Sequence, residues 1–150
     1  MTKDEQWMKI AMEEAKLAMI ENEVPVGAVL VQNDILIAKA HNQPVIKNDP
    51  TAHAEIQLLR NAGKKKGNYR LIGSTVYVTL EPCAMCFGAL IHARIDRLVF
   101  GSSDFKSGAC GSTIDLSSNT FFNHSIIISG GILSEECRAI LKKFFILKRK

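Results

Sequence analysis

Thr75-Val76-Tyr77-Val78-Thr79-Leu80-Glu81-Pro82-Cys83-Ala84-Met85-Cys86 is the stretch around which the rest of the chain has to be arranged. Thr75–Thr79, rich in β-branched and aromatic side chains, predicts a strand. Pro82 suits the first turn of a helix that runs from Cys83 to about His92. Arg97–Phe100 predicts the next strand. Strand, helix and strand in this order make the two strands parallel, with the helix crossing one face. Downstream, Ser125–Ile128 predicts another strand and Glu135 to about Leu147 a terminal helix. Upstream, Gly27–Val31 and Ile35–Ala38 flank Asn33-Asp34, which has the chemistry of a tight hairpin turn. Asp49-Pro50-Thr51 opens a helix from about Ala52 to Ala62, ending in Gly63 and Lys64-Lys65-Lys66. Trp7, Met8, Ala11, Ala15, Ala18 and Met19 share one helical face, with Glu13, Glu14 and Lys16 elsewhere. Asp4 to about Ile20 is therefore an amphipathic helix. The fold class is α/β, a single domain over residues 1–150 in three α/β/α layers with a mixed five-stranded sheet between helices.

At 150 residues, 47% hydrophobic and 23% charged, the chain is long enough for a real core and too apolar for disorder. The net charge of +4 is unevenly spread: residues 1–55 hold nine acids against five bases, residues 56–150 fourteen bases against six acids. One part of the surface is expected to attract a polyanion and another to repel it. The first residues lack the basic-then-apolar order of a secretory signal, and no apolar run approaches the ~20 residues of a membrane span. These features predict a cytoplasmic chain with no membrane partner.

Two short motifs carry chemistry. Cys83-Ala84-Met85-Cys86 at a helix start puts two sulfurs on one turn, where the helix dipole favours thiolates. His53-Ala54-Glu55 lies at the start of another helix. His, Cys and Cys form a set suited to zinc, and three protein ligands leave a fourth position for water. A carboxylate two residues from the histidine, Glu55, then has a use as a proton carrier. Taken alone, Cys-x-x-Cys is more often half of a structural zinc site, or a redox pair, than part of a catalytic one. Cys110 or Cys137 is a possible fourth, closing ligand; otherwise both are small buried residues.

The segments Glu23–Val29, Asp49–Ile56, Tyr77–Cys86, Asp104–Ser112, Asn123-His124 and the ending Gly131-Ile132-Leu133…Phe144-Phe145 together resemble bacterial tRNA-specific adenosine deaminases. That family lies within the cytidine-deaminase-like enzymes, whose zinc pattern H-x-E…P-C-x-x-C these motifs match. The resemblance implies one Zn2+ per subunit on His53, Cys83 and Cys86, with Glu55 as the proton shuttle in hydrolytic attack on C6 of adenine. It implies that Asn42 and the Ala54 N–H hold the base. It also implies that Asp104, Lys106, Asn123, Phe144, Phe145 and Arg149 contact a tRNA anticodon stem-loop, with Arg70 and Lys148 as further candidates. At least one of Phe144 and Phe145 is expected to face the core. A homodimer is implied as well. Phe87, Gln43 and a short, arginine-poor tail depart from the family pattern. Two other readings compete: a free nucleobase deaminase of the same fold, acting on guanine or cytosine, and a non-catalytic, zinc-stabilised RNA-binding subunit.

Overall fold

The computed structural model of the chain describes residues 1–118 and 121–149. Its elements run α1 (Lys3–Ile20), β1 (Gly27–Gln32), β2 (Ile35–His41), α2 (Pro44–Lys47), α3 (Ala54–Lys66), β3 (Ser74–Leu80), α4 (Ala84–Ala93), β4 (Arg97–Ser102), β5 (Ile127–Ser129) and α5 (Ser134–Lys148). The five strands form one sheet in the order β2-β1-β3-β4-β5. β1 is antiparallel to both β2 and β3, whereas β3, β4 and β5 are mutually parallel. The mixed sheet expected from the strand–helix–strand order is therefore present.

Side-chain alternation divides the core into two layers. Ala28, Leu30, Val76, Val78, Leu98 and Phe100 face α3 and α4, packing with Leu58, Phe87 and Leu90. Val29, Val31, Tyr77 and Val99 face the other way, against Met8 and Ala11 of α1 and Cys137 of α5. The period of two along each strand thus gives every central strand two buried faces. Asn33 and Asp34 take positive φ angles of 53° and 59°, the backbone a primed hairpin turn needs, and join β1 to β2.

Several local expectations are corrected. Asp49 does not begin a helix: its Oδ1 accepts from the Thr51 amide and hydroxyl, and this turn delays α3 to Ala54. The same helix passes through Gly63 and stops only at Gly67, whose φ of 66° supplies the left-handed cap. Pro82 precedes the N-cap, Cys83, so α4 starts at Ala84. Glu14 lies buried at 6% exposure rather than on the wet face of α1, because its carboxylate meets the His41 imidazole at 3.2 Å. The four-residue helix α2 was not expected; the buried Glu23 carboxylate accepts from its Val45 and Ile46 amides and supplies its N-terminal acceptors.

Candidate metal centre and adjoining cavities

His53 and Cys83 are the N-cap residues of α3 and α4, so two helix N-termini converge where their side chains meet. His53 does not cap its own helix. The missing acceptor comes from Asn42, at the end of β2, whose Oδ1 accepts the Ala54 N–H at 2.7 Å. This frees the imidazole to face the cysteines. Its Nδ1 lies 3.7 Å from Cys83 Sγ and 3.5 Å from Cys86 Sγ. Ligand atoms around one tetrahedral zinc, with Zn–S of about 2.3 Å and Zn–N of about 2.0–2.1 Å, stand roughly 3.6 Å apart for a sulfur and a nitrogen. His53, Cys83 and Cys86 form the one His/Cys/acid group among the described residues with ligand atoms close enough to hold a metal ion. Neither remaining cysteine closes it: Cys137 is in the layer beneath α1 and α5, and Cys110 is outside the group.

Charge bears out the fit. Contact with Cys86 brings the Cys83 thiol down to about 4, helped by His53. The same contact, together with burial, pushes Cys86 up. His53 is raised by its hydrogen bond to Cys83. Two sulfurs competing for one proton beside an imidazole form a site that a divalent cation relieves, since it stabilises both thiolates. Glu55, in the first turn of α3, is 4% exposed. Burial is the main cause that pushes its carboxyl up to about 7, with the charge on Cys83 adding to it. Glu55 is near enough to Cys83, His53 and Cys86 for all three to act on its carboxyl.

A cavity of about 320 Å3 opens above the cluster, lined by His53, Glu55, Cys83, Asn42, Asp104 and Pro44 among others. A second cavity of about 490 Å3 shares Val24, Leu80, Asp104 and Ser107 with it and adds Lys106, Arg138 and Phe145. The sequence candidates are thus partly brought together. His53, Glu55, Cys83, Asn42 and Asp104 share one space, with Cys86 buried behind; Lys106 and Phe145 share the next. Ala54 is buried with its N–H engaged by Asn42. Phe144 is turned inward at 6% exposure and meets the Phe145 ring edge-on, while Phe145 is 46% exposed. One member of the pair therefore faces the core, as expected. Asn123 lines a separate hollow beside Phe87 and His124. Arg149 is exposed at the end of α5, Lys148 sits over the Phe144 ring, and Arg70 lies over the Tyr69 ring. Arg138 and Glu81 are the charged lining residues that sequence reading missed. Arg138 occurs in an ordinary amphipathic helix and carries no local signal; Glu81 stood inside the decisive motif but had no partner in view.

A family model for the cytidine and deoxycytidylate deaminase zinc-binding region matches residues 1–102, which include all three ligands and Glu55. The chain is 49% identical over 148 residues to the tRNA-specific adenosine deaminase of Haemophilus influenzae, covering 98% of this chain and 86% of that protein. It is 46% identical over 150 residues to the tRNA-specific adenosine deaminase of Bacillus subtilis, covering 100% of this chain and 93% of that one. A solved structure from a study of A-to-I editing by tRNA:A34 deaminases at the wobble position of transfer RNA superposes with a TM-score of 0.87 at 41% identity. It covers 90% of this chain and 98% of its own.

Proposed function

Because the chain belongs to the tRNA-specific adenosine deaminases, within the family carrying the cytidine and deoxycytidylate deaminase zinc-binding region, we propose that it converts the wobble adenosine of a tRNA anticodon loop to inosine. The reaction takes up one water and releases ammonia. The observation that carries the reading is a buried carboxylate, Glu55, beside a His/Cys/Cys cluster and lining with His53 and Cys83 one cavity of about 320 Å3.

His53 Nδ1, Cys83 Sγ and Cys86 Sγ are the atoms that would hold zinc. When bound, zinc supplies a Lewis acid able to lower the pKa of water from about 16 to about 7. The protein's own groups do the rest. Glu55 is placed to hold a proton at its carboxylate, deliver it to N1 of adenine, and then serve the departing amino group at C6. Asn42, with Oδ1 committed to Ala54, has its Nδ2 donor to offer an acceptor on the purine edge. A cavity of this volume does not admit a stacked base, so the nucleotide must be flipped out of the loop. Lys106, Arg138 and Phe145 in the adjoining space are then set to meet the flanking nucleotides, the cations by charge and the exposed ring by stacking. Asn123 and Arg149 would reach the RNA only outside these cavities, and Phe144 supports Phe145 from within. The same reading includes a homodimer; the groove at α3 and α4, where Leu59, Ala89 and Ala93 lie among Arg60, Lys64 and His92, is a surface open to such a contact. A cytoplasmic location accords with tRNA as substrate; among the described residues no helix is long and apolar enough to cross a membrane.

The deciding assay presents purified, zinc-assayed protein with an anticodon stem-loop and, separately, with free guanine, cytosine and adenine. Inosine should form in the stem-loop alone. Glu55→Ala should keep zinc and RNA binding while losing about 10²- to 10⁴-fold in rate. Turnover of free bases only would establish the nucleobase deaminase instead. Turnover unchanged in Glu55→Ala would remove the catalytic role given to that residue.

A further inference from the structure

Glu81 stands two residues before the ligand Cys83, is 2% exposed, and has its carboxylate engaged by the segment 104–112 at the edge of the zinc-side cavity. Oε1 accepts from the Asp104 amide at 3.1 Å and from the Ser112 hydroxyl. Oε2 accepts from the amides of Cys110 at 2.8 Å and Ser112 at 3.2 Å. The next residue repeats the attachment, the Pro82 carbonyl accepting the Ala109 N–H at 2.9 Å. Gly108 lies so close over the carboxylate that a methyl group on it would stand 2.5 Å from Glu81 Cδ. The segment is therefore wrapped around one buried carboxylate. Its exposed side carries Phe105, Lys106 and Ser107, and it contributes Asp104 and Ser107 to the zinc-side cavity and Lys106 to the adjoining one.

We propose that Glu81 is the positioning residue of substrate recognition: its carboxylate fixes the 104–112 loop against the rigid β3–α4 junction, so that it governs how RNA is held and leaves zinc and proton transfer to α3 and α4. The inference rests on the reading of this cavity as an RNA deaminase site. The chemistry of the contact is selective. Three backbone N–H groups and a hydroxyl all require acceptors, and a glutamine amide would face a backbone N–H whichever way it was turned.

Glu81→Gln tests this with two readouts. Hydrogen–deuterium exchange of the full chain should show residues 104–112 exchanging about tenfold faster or more, with α3 and α4 unchanged. Steady-state kinetics on the stem-loop should show KM raised about tenfold and kcat changed by less than about threefold, at full zinc content. Gly108→Ala, whose methyl group would press on the Glu81 carboxylate and on the Asp104 carbonyl oxygen and so push the loop outward with Glu81 unaltered, should give the same split; it decides the matter if Glu81→Gln does not fold. Unchanged loop exchange, lost zinc, or a fall in kcat at constant KM would each overturn the proposal. A wild type active only on free bases would instead end the RNA reading, and the exchange experiment would still judge the attachment itself.

Discussion

Gly27→Ala is the substitution with the largest consequence that geometry alone can assign. Gly27 opens β1 beneath α1, and a methyl group there would stand 2.0 Å from the Ala11 carbonyl oxygen, 2.5 Å from the Ala15 nitrogen and 2.8 Å from Glu14 Cβ. A carbon–oxygen contact needs about 3.3 Å, so roughly 1.3 Å must be found. Two of the three obstacles are helix backbone, which no rotamer change relieves. β1 cannot yield, being paired on both sides and tied to Thr79 Oγ1 through the Gly27 amide. It is therefore α1 that lifts, and with it Met8, Ala11, Ala15 and Ala18, all fully buried. A gap of about 1 Å forfeits a quarter to a half of the dispersion energy along such a face. Overpacking of this kind costs about 3 kcal/mol, or a fall in Tm of about 6–12 °C at this chain length. Thermal scans followed by circular dichroism read the midpoint, and metal analysis should find zinc retained, because the ligands lie on the opposite layer. A midpoint within about 2 °C of wild type would refute the view that α1 is fixed against β1 by this contact.

Asn42→Asp should preserve Tm, since a carboxylate still accepts the Ala54 N–H, but should raise KM for RNA by losing the Nδ2 donor; Asn42→Ala should lose about 1 kcal/mol as well. Equal Tm values for the two variants would show that the Ala54 contact contributes nothing. The Arg97 hydrogen bonds hold Asp4 below its ordinary value of 3.8, with Tyr77 assisting. A depressed carboxyl stabilises the fold above its unfolded pKa and loses that contribution as pH falls through the folded one. The stability difference between wild type and Asp4→Asn should thus hold from about pH 5 to 8 and vanish in stronger acid, as urea titrations at each pH would show. Arg138→Ala should weaken stem-loop binding and reduce the slope of log affinity against log salt by about 0.7, the value for one single-strand phosphate contact; an unchanged slope would remove Arg138 from the RNA surface.

What sequence reading recovered depends on the range of the signal. The layers were legible because Val76, Tyr77 and Val78 alternate between two cores within a few residues. The metal centre was legible because each half lies within one helical turn and zinc restricts the partner types. Glu14 was misplaced because its burial depends on His41, 27 residues away. The helix α2 was missed because four residues show no period, and the acceptor for its N-terminus is Glu23. The role of Glu81 needed contacts 23 to 31 residues downstream. In each case a carboxylate lies inside, holding a piece of backbone or an imidazole from a distant part of the chain.

That displacement of carboxylates changes what the charge distribution means. Nine acids in residues 1–55 predicted a surface that repels a polyanion, yet only Glu13 and Asp34 of them are exposed, and these pair with Lys16 and Lys3. Asp4 is bound to Arg97, Glu14 and Glu21 to His41, Glu23 to α2, and Asp49 to Thr51 and Arg60. The Asp4–Arg97 and Asp49–Arg60 pairs act outward as weak dipoles, whereas Glu14, Glu21 and Glu23 keep negative charge but hold it against His41 and α2, where salt screens it within about 10 Å. The bases are disposed oppositely: Lys64, Lys65, Lys66, Arg70, Lys106, Arg138, Lys142, Lys143, Lys148 and Arg149 are all exposed. An approaching RNA therefore meets outermost charges that are mainly cationic, although the overall net charge is only +4. The acids of the first third act as internal fastenings, and they leave the second half's cations, Lys106 and Arg138 beside the cavity among them, to set the outer field.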